Sequence, residues 1–188
     1  MKAVSLPPGE TRPIAGAEER PQIRPWRPGD LQRLVASESL YSGETCARRF
    51  LIGQQRLPSH YIAGLRRLES ARNGWLAQVA VDRNRLVALA ECVWDPSGSE
   101  PPELAIMVAD AWQRFGLGRR TLGGLIRRCR ESRLTTFGAE YLQSNPAVRL
   151  LAAALVDEMG PSWSVQVFPG TGTHRMIISF GPEESRSA

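Results

Sequence analysis

Residues 103–118, ELAIMVADAWQRFGLG, constrain the fold more than any other stretch of this chain. Residues 103–108 read as a strand, and a turn then delivers a glycine loop directly onto an Arg-rich segment, 119–133. In that segment Leu122, Leu125, Ile126 and Cys129 recur at helical spacing with arginines on the other face, the pattern of an amphipathic helix. A strand, a crossover helix and a further strand, here 135–142, can share a sheet only as a parallel, right-handed unit. A loop at the start of such a helix leaves several backbone N–H groups without carbonyl partners, and the helix dipole adds positive potential there. The expectation is an anion site, suited to the pyrophosphate of an acyl carrier or a nucleotide.

Around this unit the pattern is mixed. Upstream, 23–26 reads as a short strand, and Asp30 is placed to cap a helix whose buried face is Leu31, Leu34 and Val35. Ser42 or Gly43 can cap a second helix carrying Cys46, Phe50 and Leu51, and a third spans about 58–69 with Tyr61, Ile62, Leu65 and Leu68 on its apolar side. Residues 75–81 and 85–94 read as strands joined by a tight turn at Asp82-Arg83-Asn84, and DPSGSEPP at 95–102 is a loop by composition. Downstream, Ser144 or Asn145 caps a helix through about Asp157, and 164–168 and 174–180 close the chain as a hairpin. The fold class expected is α/β (α+β): a central sheet of about six to seven strands, antiparallel early and parallel at the centre, flanked by helices. A single domain is expected over 22–181, with 1–21 disordered and 182–188 a flexible tail.

Composition narrows the partners. The formal charge of +5 is nearly all arginine, because Lys2 is the only lysine. Arg114, Arg119, Arg120, Arg127, Arg128, Arg130 and Arg133 crowd the loop and the helix behind it, a local field suited to a polyanion. No aromatic platform interleaves them, which argues against a nucleic-acid surface. Cys46, Cys92 and Cys129 are odd in number and embedded in apolar periodic segments, so they are expected in the core. His60 and His174 stand alone, and no metal is expected. No apolar run approaches the ~20 residues of a spanning helix. With no apolar region or cleavage site near the N-terminus, the expected location is the cytoplasm.

The residues Gln113-Arg114-Phe115-Gly116-Leu117-Gly118 fit QxxGxG, lying between a strand and an amphipathic helix and followed by a strand and an Asn-led helix. A triphosphate-binding loop would need GxxxxGK(S/T), but Arg119 and Arg120 follow Gly118; GLGRRT supplies only two glycines of a GxGxxG dinucleotide fingerprint. In this context the sequence resembles the GNAT superfamily of acyl-CoA-dependent N-acetyltransferases, whose pyrophosphate loop is (Q/R)xxGx(G/A). The strings ELAIMVADAWQRFGLG and AEYLQSN are similar to those typical of bacterial protein lysine acetyltransferases, including those acting on acetyl-CoA synthetase. The resemblance implies a GNAT-like fold, acetyl-CoA as co-substrate and a primary amine, such as a protein lysine, as acceptor, and a homodimer is compatible with it. It implies Glu103 as general base and backbone contacts from Met107 and Val108 to the acyl-pantetheine arm. The pyrophosphate would lie on Gln113, Arg114, Phe115, Gly116, Leu117, Gly118 and Arg119, with Asn145 against the pantetheine.

Physical chemistry gives those roles content. A lysine-like amine, with a reference pKa of about 10.4, must lose a proton before it attacks a thioester. A carboxylate partly buried at a strand end has its pKa raised toward neutrality, which Glu103 satisfies if the strand begins there. A strand N–H splayed from its neighbour near Met107 or Val108 would stabilise the tetrahedral oxyanion. Glu91 and Glu140 are reserve bases, Glu140 being expected to pair with an arginine. Three departures stand out. The tyrosine that the family often places seven residues after the asparagine, as general acid, is Ala152. Val156-Asp157 replaces the usual Gly-Phe ending of that helix. Arg114 replaces the first glycine of the subgroup's QGRGLG. An acetyltransferase of an amino acid or an antibiotic amine and an acyl-CoA sensor without turnover are the alternative readings.

Overall fold

Alternating apolar runs fold into one seven-stranded sheet. In the computed structural model, which describes residues 20–53, 55–71 and 74–181, the strands are β1 (Gln22–Pro25), β2 (Trp75–Asp82), β3 (Arg85–Val93), β4 (Glu103–Val108), β5 (Thr136–Leu142), β6 (Trp163–Pro169) and β7 (Thr173–Phe180). Their spatial order is β1-β2-β3-β4-β5-β7-β6, antiparallel except for β4 and β5. The segments 1–19 and 182–188, for which disorder or flexibility is expected, lie outside the described residues.

The β2–β3 hairpin closes through two residues, Arg83 and Asn84, both with positive φ (45° and 72°). A pair of left-handed residues is the type I′ turn whose twist matches the strands it joins. The expected crossover is present: α4 (Leu117–Glu131) connects β4 to the parallel β5. It packs Leu122, Leu125, Ile126 and Cys129 against the sheet, with α5 (Pro146–Met159) beside it through Leu155. This α4–α5 face holds one apolar cluster. The opposite face holds a second, built with α1 (Asp30–Ala36), α2 (Gly43–Phe50) and α3 (Ser59–Ala71). All three cysteines are buried and free, as their apolar settings predict. Among the described residues no helix is long and apolar enough to cross a membrane.

Two expectations about α1 need correction. Asp30 does not cap it; Gly29 occupies the N-cap position, and the Asp30 side chain turns inward to a buried pair with Arg24. Arg24 donates through both Nη atoms, at 2.6 and 2.8 Å, and Arg27 N–H and Arg33 Nη1 complete the shell at 2.8 and 3.0 Å. The pair locks β1 to α1. Val35 is 49% exposed, because a seven-residue helix turns only one narrow stripe, Leu31 and Leu34, to the sheet.

Candidate active site

Strands β4 and β5 pair only at Glu103 and Gly138, where Gly138 N–H donates to Pro102 C=O at 2.8 Å. Beyond that point they part. The N–H of Ala109 donates to Val87 C=O on the β3 side. Strand alternation therefore turns the peptide groups of Leu104, Ile106 and Val108 the other way, toward β5. Met107, expected as an oxyanion donor, thus directs its N–H into the β3 ladder, and its side chain is buried in the core. Val108 keeps the candidacy.

At the open end of this gap sits the glycine loop. Arg114 and Gly116 both adopt left-handed backbone (φ 67° and 74°), and Gly116 is the N-cap of α4. The position where the subgroup carries glycine thus needs left-handed geometry here too, and Arg114 supplies it at a cost of about 1 kcal/mol. The first bond of α4 runs from Arg120 N–H to Gly116 C=O, at 3.1 Å. The N–H groups of Leu117, Gly118 and Arg119 therefore have no carbonyl within the helix. Leu117 anchors the turn in the core, while Phe115 is 74% exposed. Arg114 and Arg120 are exposed beside these N–H groups, and Arg119 lies 3.6 Å from the half-exposed Glu158. Free N–H groups at a helix start with guanidiniums beside them fit a diphosphate.

Gln113 bridges the loop to its surroundings through its side chain. Its Nε2 donates to Thr45 Oγ1 (2.9 Å) on α2 and to Val108 C=O (3.0 Å). Asp110 in turn accepts from Thr45 Oγ1 (2.6 Å) and Ser42 N–H (3.1 Å). This lattice ties the loop to the N-terminus of α2. Thr45 and Asp110 escaped the sequence reading because the contact spans 65 residues and follows no local pattern. Asn145 is the N-cap residue of α5 but makes no side-chain cap bond, contrary to expectation; Pro146 starts the helix instead. Asn145 is 9% exposed and follows the end of β5 at Leu142 by three residues.

Glu103 lies at the closed end of the gap, and its Oε1 accepts from Arg175 Nη2 of β7 at 2.5 Å. Both side chains are open to solvent, 44% and 41% exposed, so the partial burial expected of Glu103 is absent. Gly138 makes the pairing sterically feasible: a Cβ there would lie 2.6 Å from Glu103 Oε1 and 2.9 Å from Arg175 Nη2. The arginine expected for Glu140 thus goes to Glu103, although Arg175 is directly opposite Glu140 in the ladder; Glu140 accepts from Thr173 Oγ1 at 2.7 Å instead.

Glu91 is 2% exposed and fully engaged, which removes it as a reserve base. Arg49 Nη2 (2.8 Å), Tyr61 Oη and Trp75 Nε1 (3.3 Å) all donate to its carboxylate. Burial, with Glu91 beside it, pushes the Tyr61 phenol well above its usual range, so it remains a donor. The cluster pins α2 and α3 to the sheet beside the gap. Ala152, in place of the family's tyrosine, is buried in the α4–α5 core. Tyr141 is in that core too, and among the described residues its buried hydroxyl has no hydrogen-bond partner. The outer face of α4 borders two hollows, of about 580 Å³ (including Arg127, Arg130, Arg133 and Phe180) and about 280 Å³ (including Arg119, Arg120 and Arg127); Glu103 lines neither.

No protein-family model matches the chain. Solved structures similar to it include the GNAT domain of S. lividans PAT, at TM-score 0.70 and 19% identity over 84% of this chain and 89% of that one. A phosphinothricin acetyltransferase from Sinorhizobium meliloti in complex with acetyl-CoA aligns at TM-score 0.64 and 18% identity, over 90% and 93%. A spermidine N-acetyltransferase from Vibrio cholerae in complex with CoA and spermine aligns at TM-score 0.58 and 18% identity, over 86% and 96%. Parted central strands, a glycine loop opening α4 and these alignments agree: the chain has the fold of the GNAT N-acetyltransferases.

Proposed function

We propose that the protein is an acetyl-CoA-dependent N-acetyltransferase that passes the acetyl group directly to a primary amine. The observation that carries this is the gap between β4 and β5, with unpaired N–H groups at its open end and a solvent-accessible carboxylate, Glu103, at its closed end. Acetyl-CoA supplies an activated thioester. The N–H groups of residues 117–119 and Arg114 hold its pyrophosphate, the β4 edge at Ile106 and Val108 takes the pantetheine amides, and Asn145 borders the arm from the β5 side.

In the reaction the acceptor ammonium gives its proton to Glu103. The nitrogen lone pair attacks the thioester carbonyl, and the oxyanion that forms meets a β4 N–H, Val108 being the open donor. Collapse breaks the C–S bond, the nitrogen gives its second proton to water, and the departing thiolate takes a proton from water. No side chain at the Ala152 position is needed for this, because a thiol of pKa about 8.5 is a tolerable leaving group. The sequence resemblance carried by ELAIMVADAWQRFGLG and AEYLQSN supports a protein lysine as acceptor, and the likeness to the spermidine enzyme supports a small amine.

Glu103→Gln tests the reading. Acetyl-CoA should raise the melting temperature of wild type and variant alike, while acceptor-dependent thiol release in the variant falls by about 10²-fold or more near neutral pH. Undiminished release removes Glu103 as the base. An absent thermal shift at millimolar acetyl-CoA removes the coenzyme site, and binding without turnover on any acceptor leaves the sensor function.

A further inference from the structure

The Glu103–Arg175 pair is composed for more than proton transfer. Arg175 reaches across Gly138, past its own ladder neighbour Glu140, to touch the carboxylate at the apex of the gap. A guanidinium has five N–H donors in a rigid fork, and Glu103 occupies only Nη2; among the described residues no other acceptor pairs with Arg175. Glu103 likewise uses one oxygen, Oε1, and leaves Oε2 free. One solvent-accessible spot therefore offers a carboxylate oxygen to an ammonium and a guanidinium edge to an anion. Exposed apolar side chains flank it, Val93 opposite Glu103 and Phe168 opposite Arg175.

We propose that Arg175 is an acceptor-selecting residue and that the acceptor is an α-amino acid, whose ammonium docks on Glu103 and whose carboxylate docks on Arg175. This rests on the transferase reading and deepens it. An ammonium and a carboxylate one carbon apart match a carboxylate and a guanidinium already in contact, and a fork geometry suits a carboxylate better than a point charge does. A lysine side chain within a protein has no such carboxylate beside its amine, and neither does a polyamine. An acceptor without one would leave the Arg175 fork with Glu103 as its sole anion.

The test is thiol release from acetyl-CoA with α-amino acids and their decarboxylated amines, for example leucine with isoamylamine and phenylalanine with phenethylamine, and with a lysine-bearing peptide blocked at both ends. Wild type should favour the amino acid of each pair by at least about tenfold in kcat/KM, and the blocked peptide should be a poor acceptor. Arg175→Gln should abolish that preference by raising KM for amino acids, with a smaller fold-loss on the decarboxylated amines. Arg175→Lys, which keeps a charge without the fork, should retain part of the preference. The acetyl-CoA thermal shift confirms that each variant is folded. A wild-type preference for the amines or the peptide overturns the proposal, as does an equal loss on both members of a pair in Arg175→Gln. If none of these acceptors gives thiol release above hydrolysis, the transferase reading and this inference fall together, an outcome told apart from the others.

Discussion

Replacing Gly138 by alanine is expected to separate acceptor chemistry from coenzyme binding. Gly138 is a β5 residue without positive φ, so the backbone accepts a side chain there; the difficulty lies in the space above it. The new methyl carbon would sit 2.6 Å from Glu103 Oε1, about 0.8 Å inside the 3.4 Å at which ordinary contact begins, and 2.9 Å from Arg175 Nη2. Both obstacles are the ends of flexible side chains, so the pair swings aside instead of the strand breaking. The stability change should be small. Alanine in place of glycine gains about 0.4–1 kcal/mol through the unfolded chain, and a pair this exposed contributes about 0–1 kcal/mol. The two effects offset each other. A catalytic group displaced by nearly 1 Å loses far more, on the order of 10²-fold in rate. Gly138→Ala should therefore keep its urea midpoint and its acetyl-CoA thermal shift while kcat/KM for the acceptor drops about 10²-fold. Transfer at the wild-type rate in a folded variant would show that the Glu103–Arg175 geometry is immaterial to the reaction. Loss of the thermal shift would show that the substitution acts on the gap as a whole.

Two further outcomes concern stability. Tyr141→Phe removes a buried hydroxyl that has no hydrogen-bond partner, so the variant should be more stable by about 1 kcal/mol in chemical denaturation; a loss of stability would mean that the hydroxyl is satisfied. Burial works to raise the Asp30 carboxyl, but hydrogen bonds from Arg24 and Arg27 N–H and the charge of Arg24 outweigh it and hold the group below its usual 3.8. A depressed carboxyl stabilises the fold above its unfolded value and loses that contribution as pH falls through the folded one. Asp30→Asn should thus cost about 3–5 kcal/mol at pH 7, where it strands Arg24, and the gap to wild type should narrow below pH 3.8. A gap constant between pH 7 and pH 3 in urea titrations would refute this assignment.

Periodicity, turn chemistry and the glycine loop are local properties, and they were legible. Alternation over 75–81 and 85–94, the Arg83-Asn84 turn, the Ser42 cap of α2 and the crossover through α4 all need only a few consecutive residues to declare themselves. What the sequence left open is which polar side chains meet. Arg175 joins Glu103 across 72 positions, Arg49 joins Glu91 across 42, and Gln113 joins Thr45 across 68. Each meeting depends on strand register or on how a helix lies over the sheet, quantities that no single segment encodes. For the same reason Asp30 read as a helix cap and proved to be the buried partner of Arg24, and Glu91 read as a reserve base and proved to be locked beneath α2 and α3. The sequence by itself determined the order of elements and the glycine turn that opens α4, because both follow from backbone preferences. Only the tertiary structure decided that the Glu103 carboxylate is exposed, shared with a guanidinium and roofed over a glycine, because that depends on the register of β5 against β7 and on β4 meeting β5 at a single residue pair.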